Sequence, residues 1–295
     1  MMRDSSRKRW EPLSISTCIL LAISSLAGVL SINFQNTYET MNQYGEKVLM
    51  YGSGIYAHDT YFKAPIQIGA DVVALFLLVP LFLWIYNLHR TKQNDFSRMW
   101  IIATYAVILY YALSQALGVT YNRFHLLYIA LVACALYGMF YHIHKWEGKG
   151  VDIVLTKGKT MFFILTGLAV IVAWLPDIIP TLISGEPLAM IGVYTTEITY
   201  VLDMGIIGPA CFVTIILLKQ NDRIAPLLYT FILLLSFIIA IMVISGTVFQ
   251  CLSGVEMTLP IVITKIGSFI VLGGFAAYFI WQLYCKEGND RKAYH

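Results

Sequence analysis

Eight stretches of this chain are apolar for about 20 residues at a time, and that feature narrows the fold more than any other. They cover about 13–33, 66–88, 99–118, 125–142, 161–183, 199–218, 225–249 and 259–284. A hydrocarbon core about 30 Å thick takes roughly 20 residues of helix to cross. Nothing in that core can satisfy a free backbone N–H or C=O, so a spanning segment is a helix or part of a closed barrel. Barrel strands alternate apolar and polar residues, and these runs do not. The expected fold class is all-α: a polytopic membrane protein with eight transmembrane helices.

Composition agrees with that reading. Of the 295 residues, 58% are hydrophobic and 13% charged, whereas soluble domains carry about 45–50% and about 25%. The mean hydropathy is +0.71. These values exclude a disordered chain, an ordinary soluble α/β enzyme and a nucleic-acid binder. The net charge of +3 is too small and too dispersed for a nucleic-acid footprint. Cys18, Cys134, Cys211, Cys251 and Cys285 form no C-x-x-C pair, so neither a disulfide framework nor a zinc site is expected. No cofactor is expected either. Haem would need facing histidines at depth, and most of the histidines stand at loops, helix ends or the tail.

Lys and Arg accumulate on the cytoplasmic side of a membrane protein. With an even number of spans and the N-terminus inside, the cytoplasmic segments hold Arg3, Arg7, Lys8, Arg9, Arg90, Lys92, Arg98, Lys145, Lys149, Lys157, Lys159, Lys219, Arg223, Lys286, Arg291 and Lys292. The outer side holds only Lys47, Lys63 and Arg123, and Lys265 lies inside the last span. Both termini are therefore expected in the cytoplasm. The first apolar run is longer than the core of a signal peptide and ends in no small-x-small site, so it reads as a retained helix. The chain divides into a cytoplasmic segment 1–12, one membrane domain 13–284 and a tail 285–295, with long external segments at 34–64 and 184–198. No spacing of 20–50 residues repeats. Pro65 and Pro260 stand in first helical turns, whereas Pro80, Pro176, Pro180 and Pro209 should kink or end their spans.

Ionisable residues within spans are costly and usually face the bundle interior. Asp71 lies six residues past Pro65, about 9 Å into its helix, and Lys265 five past Pro260, about 7.5 Å in. Asp203 is about a turn into the sixth span, and Asp177 stands at the outer end of the fifth. Tyr121, His125 and Tyr128 share an i, i+4, i+7 spacing, as Tyr111 and Gln115 share i, i+4. Asn122 neighbours the first set, and Glu197 and Tyr200 lead into Asp203. If these faces converge, Asp71, Asp203, Lys265, Asp177, Tyr121, Asn122, His125 and Glu197 line an outward-facing polar pocket for a small molecule or ion. The alternative is structural. Asp71 and Asp203 gain from positive helix N-termini, Lys265 pairs with one of them, and the aromatics belong to an interfacial belt. His142 and His144, at i, i+2, face different ways, so interfacial solvation is expected there rather than metal ligation.

His58-Asp59-Thr60-Tyr61-Phe62 with Gly69-Ala70-Asp71 and Pro80 resembles the loop and second span of a broad set of uncharacterised prokaryotic multi-pass membrane proteins. So do Tyr121-Asn122 with Phe124 and Tyr128, Trp174-Leu175 ahead of Gly185 and Pro187, and Val201-Leu202-Asp203 with Pro209. The resemblance covers most of the chain. It implies an eight-helix-like domain in a prokaryotic cytoplasmic membrane and a premium on Asp71, Asn122 and Asp203. It carries no activity, and Lys265 is outside the pattern.

The function classes that remain are a binding, sensing or transport domain, an intramembrane enzyme on a lipid-like substrate, and a structural subunit of a membrane complex. The enzyme reading lacks H-E-x-x-H, G-x-S-x-G or a clustered carboxylate motif. Lys265-Ile266-Gly267-Ser268-Phe269 is superficially similar to the Schiff-base segment of microbial rhodopsins. Eight spans and the lack of a carboxylate midway along the third argue against a pigment. Membrane lipids are the expected surroundings.

Overall fold

The computed structural model describes residues 11–255 and 266–293, with side chains as far as residue 285. Lys265, Pro260 and the basic residues Arg3, Arg7, Lys8 and Arg9 lie outside the described residues. Eight helices in the described residues are long and apolar enough to cross a membrane: α1 (Pro12–Val29), α2 (Ala64–Lys92), α3 (Asp95–Gly118), α4 (His125–His144), α5 (Lys157–Ser184), α6 (Ile198–Lys219), α7 (Ala225–Ser253) and α8 (Gly267–Cys285). Each matches an apolar run of the sequence, and α4, the shortest run, is a full 20 residues.

Local chemistry sets the helix ends. Asn94 accepts a hydrogen bond from the Ser97 amide at 3.0 Å and caps α3, and Thr156 caps α5 through the Lys159 amide. Proline occupies the first turn of α1, α2 and α7, where its missing N–H costs no hydrogen bond. Gly185 and Gly254 end α5 and α7 at positive φ, 74° and 84°, a conformation a side chain resists.

The interior prolines act in two ways. In α5 the helix breaks into Lys157–Val172 and Leu175–Ser184 ahead of Pro176. In α2 and α6 the helix widens instead of breaking. Residues Ala74–Leu78 and Asp203–Ile207 each form one π turn, followed in both cases by one residue and then a proline, Pro80 or Pro209. A proline cannot donate to the turn before it, and an i→i+5 bond from the preceding residue, Val79 to Ala74 or Gly208 to Asp203, takes up the slack.

This match is part of a larger one. The chain repeats one plan twice: a first helix, a long segment, a helix with a π turn ahead of proline, a tight turn, then two further helices. The tight turns carry the same tetrapeptide, Lys92-Gln93-Asn94-Asp95 and Lys219-Gln220-Asn221-Asp222. Each holds a non-glycine residue at positive φ, Gln93 at 47° and Asn221 at 53°. The packing follows the same plan. In the first half α1 packs on α2 and α4, and α3 on α2 and α4. In the second, α5 packs on α6 and α8, and α7 on α6 and α8. The halves meet where α7 lies against α2 and α3, and where α3 lies against α6. Exchange of first-half for second-half helices maps these contacts onto one another.

One apolar core joins the halves, with Leu21, Phe82, Tyr105 and Ile108 from the first and Phe163, Ile215, Leu233 and Ala276 from the second. The third helix is the most enclosed, with 67% of its apolar window buried, against 22% to 33% for α1, α4, α5 and α8. Large apolar side chains on those outer helices, such as Leu126, Leu182 and Ile183, are exposed, as lipid-facing residues are.

Residues 34–63 fold as a cap over one end. Antiparallel strands β1 (Tyr38–Met41) and β2 (Lys47–Met50) form its hairpin. A small cluster of Tyr51, Ile55 and Tyr56 packs on Ala64 and Ile68 of α2. Asn42 and Gln43 donate to the carbonyls of Gly192 and Tyr194 at 3.1 Å each, so both long inter-helix segments lie at the same end.

Across the half interface, a Cβ on Gly69 would run into the backbone of Ser245 and Gly246 in α7. Backbone cannot swing aside, so the helices would have to part. Gly69→Ala should lower stability by about 1–3 kcal/mol. Gly274→Ala, with open space around it, should be neutral or slightly stabilising. Thermal unfolding in detergent checks this, and equal midpoints for the two variants would contradict it.

Candidate functional site

Asp71 sits in α2 three residues before the π turn and has no exposed surface. Its carboxylate accepts from the Tyr56 hydroxyl of the cap at 2.5 Å, the Tyr111 hydroxyl of α3 at 2.5 Å and the Gln115 amide at 3.0 Å. Gly28 of α1 closes the remaining side, where a Cβ would collide with the carboxylate itself. Hydrogen bonds to a charged group are worth about 1.5–3 kcal/mol each, and three of them offset part of the cost of burying a carboxylate.

Asp203 opens the π turn of α6 and is also buried. It accepts from the Tyr110 hydroxyl at 2.9 Å and the Trp174 indole at 3.0 Å. Trp174 stacks on Tyr200 with ring centroids 4.8 Å apart, and the Tyr200 hydroxyl donates to Asp177 at 3.0 Å. Asp177 therefore joins Asp203 through two aromatic rings that tie α5 to α6.

The two carboxylates are held by consecutive residues of one helix, Tyr110 and Tyr111. Neighbouring residues on an α-helix point about 100° apart, since a turn takes 3.6 residues. Asp71 and Asp203 therefore lie on different sides of α3, each enclosed by its own donors, and do not share one open chamber.

A third polar centre lies in the cap, and sequence reasoning did not single it out. Asp59 has no exposed surface. Its Oδ1 accepts from the Thr120 amide and from the Tyr194 hydroxyl, both at 2.9 Å. Beside it, Lys63 pairs with Glu197, and its ammonium lies 3.9 Å from the centre of the Tyr194 ring. Glu197 is thus placed at the site, with Lys63 as its partner. Burial pushes the Asp59 carboxyl up to about 6, against the lowering effect of the Thr120 and Tyr194 hydrogen bonds and of the Lys63 charge.

The other expected site residues fall elsewhere. Tyr121 is exposed, with its ring tilted against His125 at 5.1 Å. The α4 helix begins only at His125, so Tyr121 precedes it and the i, i+4, i+7 spacing does not apply. Asn122 forms a local turn, accepting from the Phe124 amide at 2.9 Å. His125 is half-buried at the helix start. Only Tyr128 of that set turns fully inward.

His142, expected at a solvated interface, is buried at the opposite end of the bundle, with Nε2 3.4 Å from Glu11. Its ring lies 5.1 Å from that of His89 and 5.7 Å from that of Tyr105. The start of α1 packs there, which a reading of α4 alone could not reveal.

Tyr56, Tyr110, Tyr194 and Lys63 also escaped the sequence reading. The pair Tyr110-Tyr111 was the available signal, because adjacent tyrosine hydroxyls in an apolar run each need a partner. The chain matches no protein-family model, no curated protein and no solved structure.

The raised carboxyl of Asp59 fixes the sign of a pH effect. The folded state holds this proton up to about pH 6, whereas an unfolded Asp releases it near pH 3.9. The contribution is therefore fully present below about pH 4 and is lost as pH rises through 6, a difference of about 3 kcal/mol. The wild type should lose stability between pH 4 and 7 in low salt. Asp59→Asn, which keeps an acceptor for Thr120 and Tyr194, should flatten that slope, as read from unfolding midpoints across the range.

Proposed function

We propose that this chain is a transport domain of a prokaryotic cytoplasmic membrane, moving a small molecule or ion past the buried carboxylates of α2 and α6. The cap and the 185–197 segment face outward in this reading, because the opposite end carries nearly all the Lys and Arg. The observation that carries it is the pairing. Two four-helix halves each contain a widened, proline-marked helix with an intramembrane carboxylate at or just before its π turn. Helices interrupted at corresponding positions of two repeats are a pointer to a transport site.

Span 3 gives the arrangement its logic. Tyr110 and Tyr111 hold one carboxylate from each half, so a shift of α3 relative to either half alters both networks. The Tyr56 hydroxyl belongs to the cap, and withdrawal of the cap exposes Asp71 from outside. An intramembrane enzyme is less well supported, since the sequence carries no H-E-x-x-H, G-x-S-x-G or clustered carboxylate motif.

The test is uptake into sealed vesicles carrying the purified full-length protein, with a panel of small acids, amines and inorganic cations as solutes. At least one solute should accumulate faster than in protein-free vesicles. Asp71→Asn and Asp203→Asn should each slow that uptake at least tenfold while the protein remains folded. Uptake that is indifferent to both substitutions, or absent for the whole panel, would overturn the proposal.

A further inference from the structure

The end of the bundle opposite the cap encloses two imidazoles in contact with one another. His142 of α4 is buried, and its ring centre lies 5.1 Å from that of His89 of α2, 5.2 Å from that of Tyr141 and 5.7 Å from that of Tyr105. Glu11, just ahead of α1, brings Oε2 to 3.4 Å from His142 Nε2. The same residue fastens the start of α1, because its amide donates to the Tyr86 hydroxyl at 2.7 Å. Three residues on, the Ser14 and Tyr105 hydroxyls are 2.7 Å apart.

Hydrogen-bond direction assigns the protons. Ser97 donates its hydroxyl hydrogen to the Asn94 carbonyl at 2.8 Å, so towards His89 Nδ1, 3.1 Å away, it accepts. His89 thus carries its hydrogen on Nδ1. A carboxylate also only accepts, so Glu11 places the hydrogen of neutral His142 on Nε2. The Nδ1 of His142 is left buried, with no hydrogen bond among the described residues. It is the atom at which a second proton enters, and Glu11 balances the charge so created. A further charge on His89 would face the first across 5.1 Å, and like charges at that distance oppose one another. No three His, Cys, Asp or Glu side chains among the described residues are placed to share a metal. The ligand that fits is a proton.

The surrounding charges are fixed. Lys145, exposed at the end of α4, bonds to the Tyr141 hydroxyl and adds its charge to Glu11. Arg98 of α3 pairs with Asp95 at 3.3 Å and donates to the Lys145 carbonyl, while Arg90 of α2 acts on Tyr86. Burial raises the Glu11 carboxyl, but His142, Tyr141 and Lys145 together hold it below the usual carboxylate range. Glu11 is therefore ionised at neutral pH.

We infer that Glu11, His142 and His89 form a binding site for one exchangeable proton, whose uptake fastens the start of α1 to α4. With the proton bound, Glu11 is drawn in to the His142 imidazolium. Without it, Lys145 is left as the cation beside Glu11, and the carboxylate turns outward to water. The Glu11 side chain is 33% exposed and so offers the proton its way in from solvent. The site goes beyond the transport reading and does not depend on it.

Amide hydrogen exchange in full-length protein in detergent reads the site directly. Residues 12–18 are compared at pH 5.5 and 8.5 after correction for the intrinsic rate, with α3 as the internal reference. Histidine ordinarily changes charge between these values, and wild-type protection should be about tenfold higher at pH 5.5. His142→Gln and Glu11→Gln should each remove the difference, whereas His89→Gln should keep it. Ser14→Ala, which takes away the Tyr105 contact and no charge, should lower protection equally at both pH values. Because Glu11 is partly exposed, Glu11→Gln keeps the test open if His142→Gln does not fold. Equal wild-type protection at the two pH values, or a difference that survives His142→Gln or Glu11→Gln, overturns the site.

Discussion

A carboxylate inside an apolar bundle is the constraint around which the rest of this structure is arranged. Isolated in hydrocarbon, such a charge is expensive; surrounded by hydroxyl and amide donors it becomes a fixed part of the fold. Asp71 recruits donors from the cap and from α3, and requires a glycine on α1 to make room. Asp203 recruits from α3 and from Trp174, at the break between the two segments of α5. Each demand selects which helices meet, and the two demands converge on adjacent residues of the most enclosed helix. The position of α3 at the centre follows from polar pairing as much as from apolar packing.

The duplicated plan gives this arrangement a second level. Two four-helix units share the tetrapeptide turn, with a positive-φ residue at its second position in one and its third in the other, and the π turn ahead of proline. These are backbone features, set by proline geometry and by turn chemistry rather than by any particular side chain in contact. The polar partners have diverged. One half uses two tyrosines and a glutamine around its aspartate, the other a tyrosine and a tryptophan. The halves are alike in shape and unlike in chemistry.

The spans were legible because length and apolarity decide them, and Asp71 and Asp203 were legible because charge in such a run stands out. Their partners were not. Tyr56 approaches Asp71 from a folded cap whose path no periodicity reveals, and Tyr110 differs from other aromatics of the apolar runs only in what it meets. The expected convergence of Asp71 and Asp203 in one chamber failed for a geometric reason, since consecutive tyrosines cannot face the same way. Tyr121 was misplaced because a spacing rule was carried past the first helical residue. The repeat escaped because its unit is far longer than the 20–50 residues of solenoid repeats. Lys92 and Lys219 are 127 positions apart (219 − 92), and only the position of the shared tetrapeptide in the fold gives it weight.

The bond between Tyr56 and Asp71 also bears on how the protein is made. Tyr56 stands fifteen residues ahead of Asp71, whereas Tyr111 and Gln115 follow only after another turn and most of another helix. During synthesis the nascent second helix therefore finds its first donor in chain that has already emerged. A segment that later covers one end of the bundle serves first as an escort, shielding the aspartate while the remaining walls of its compartment are still to be built.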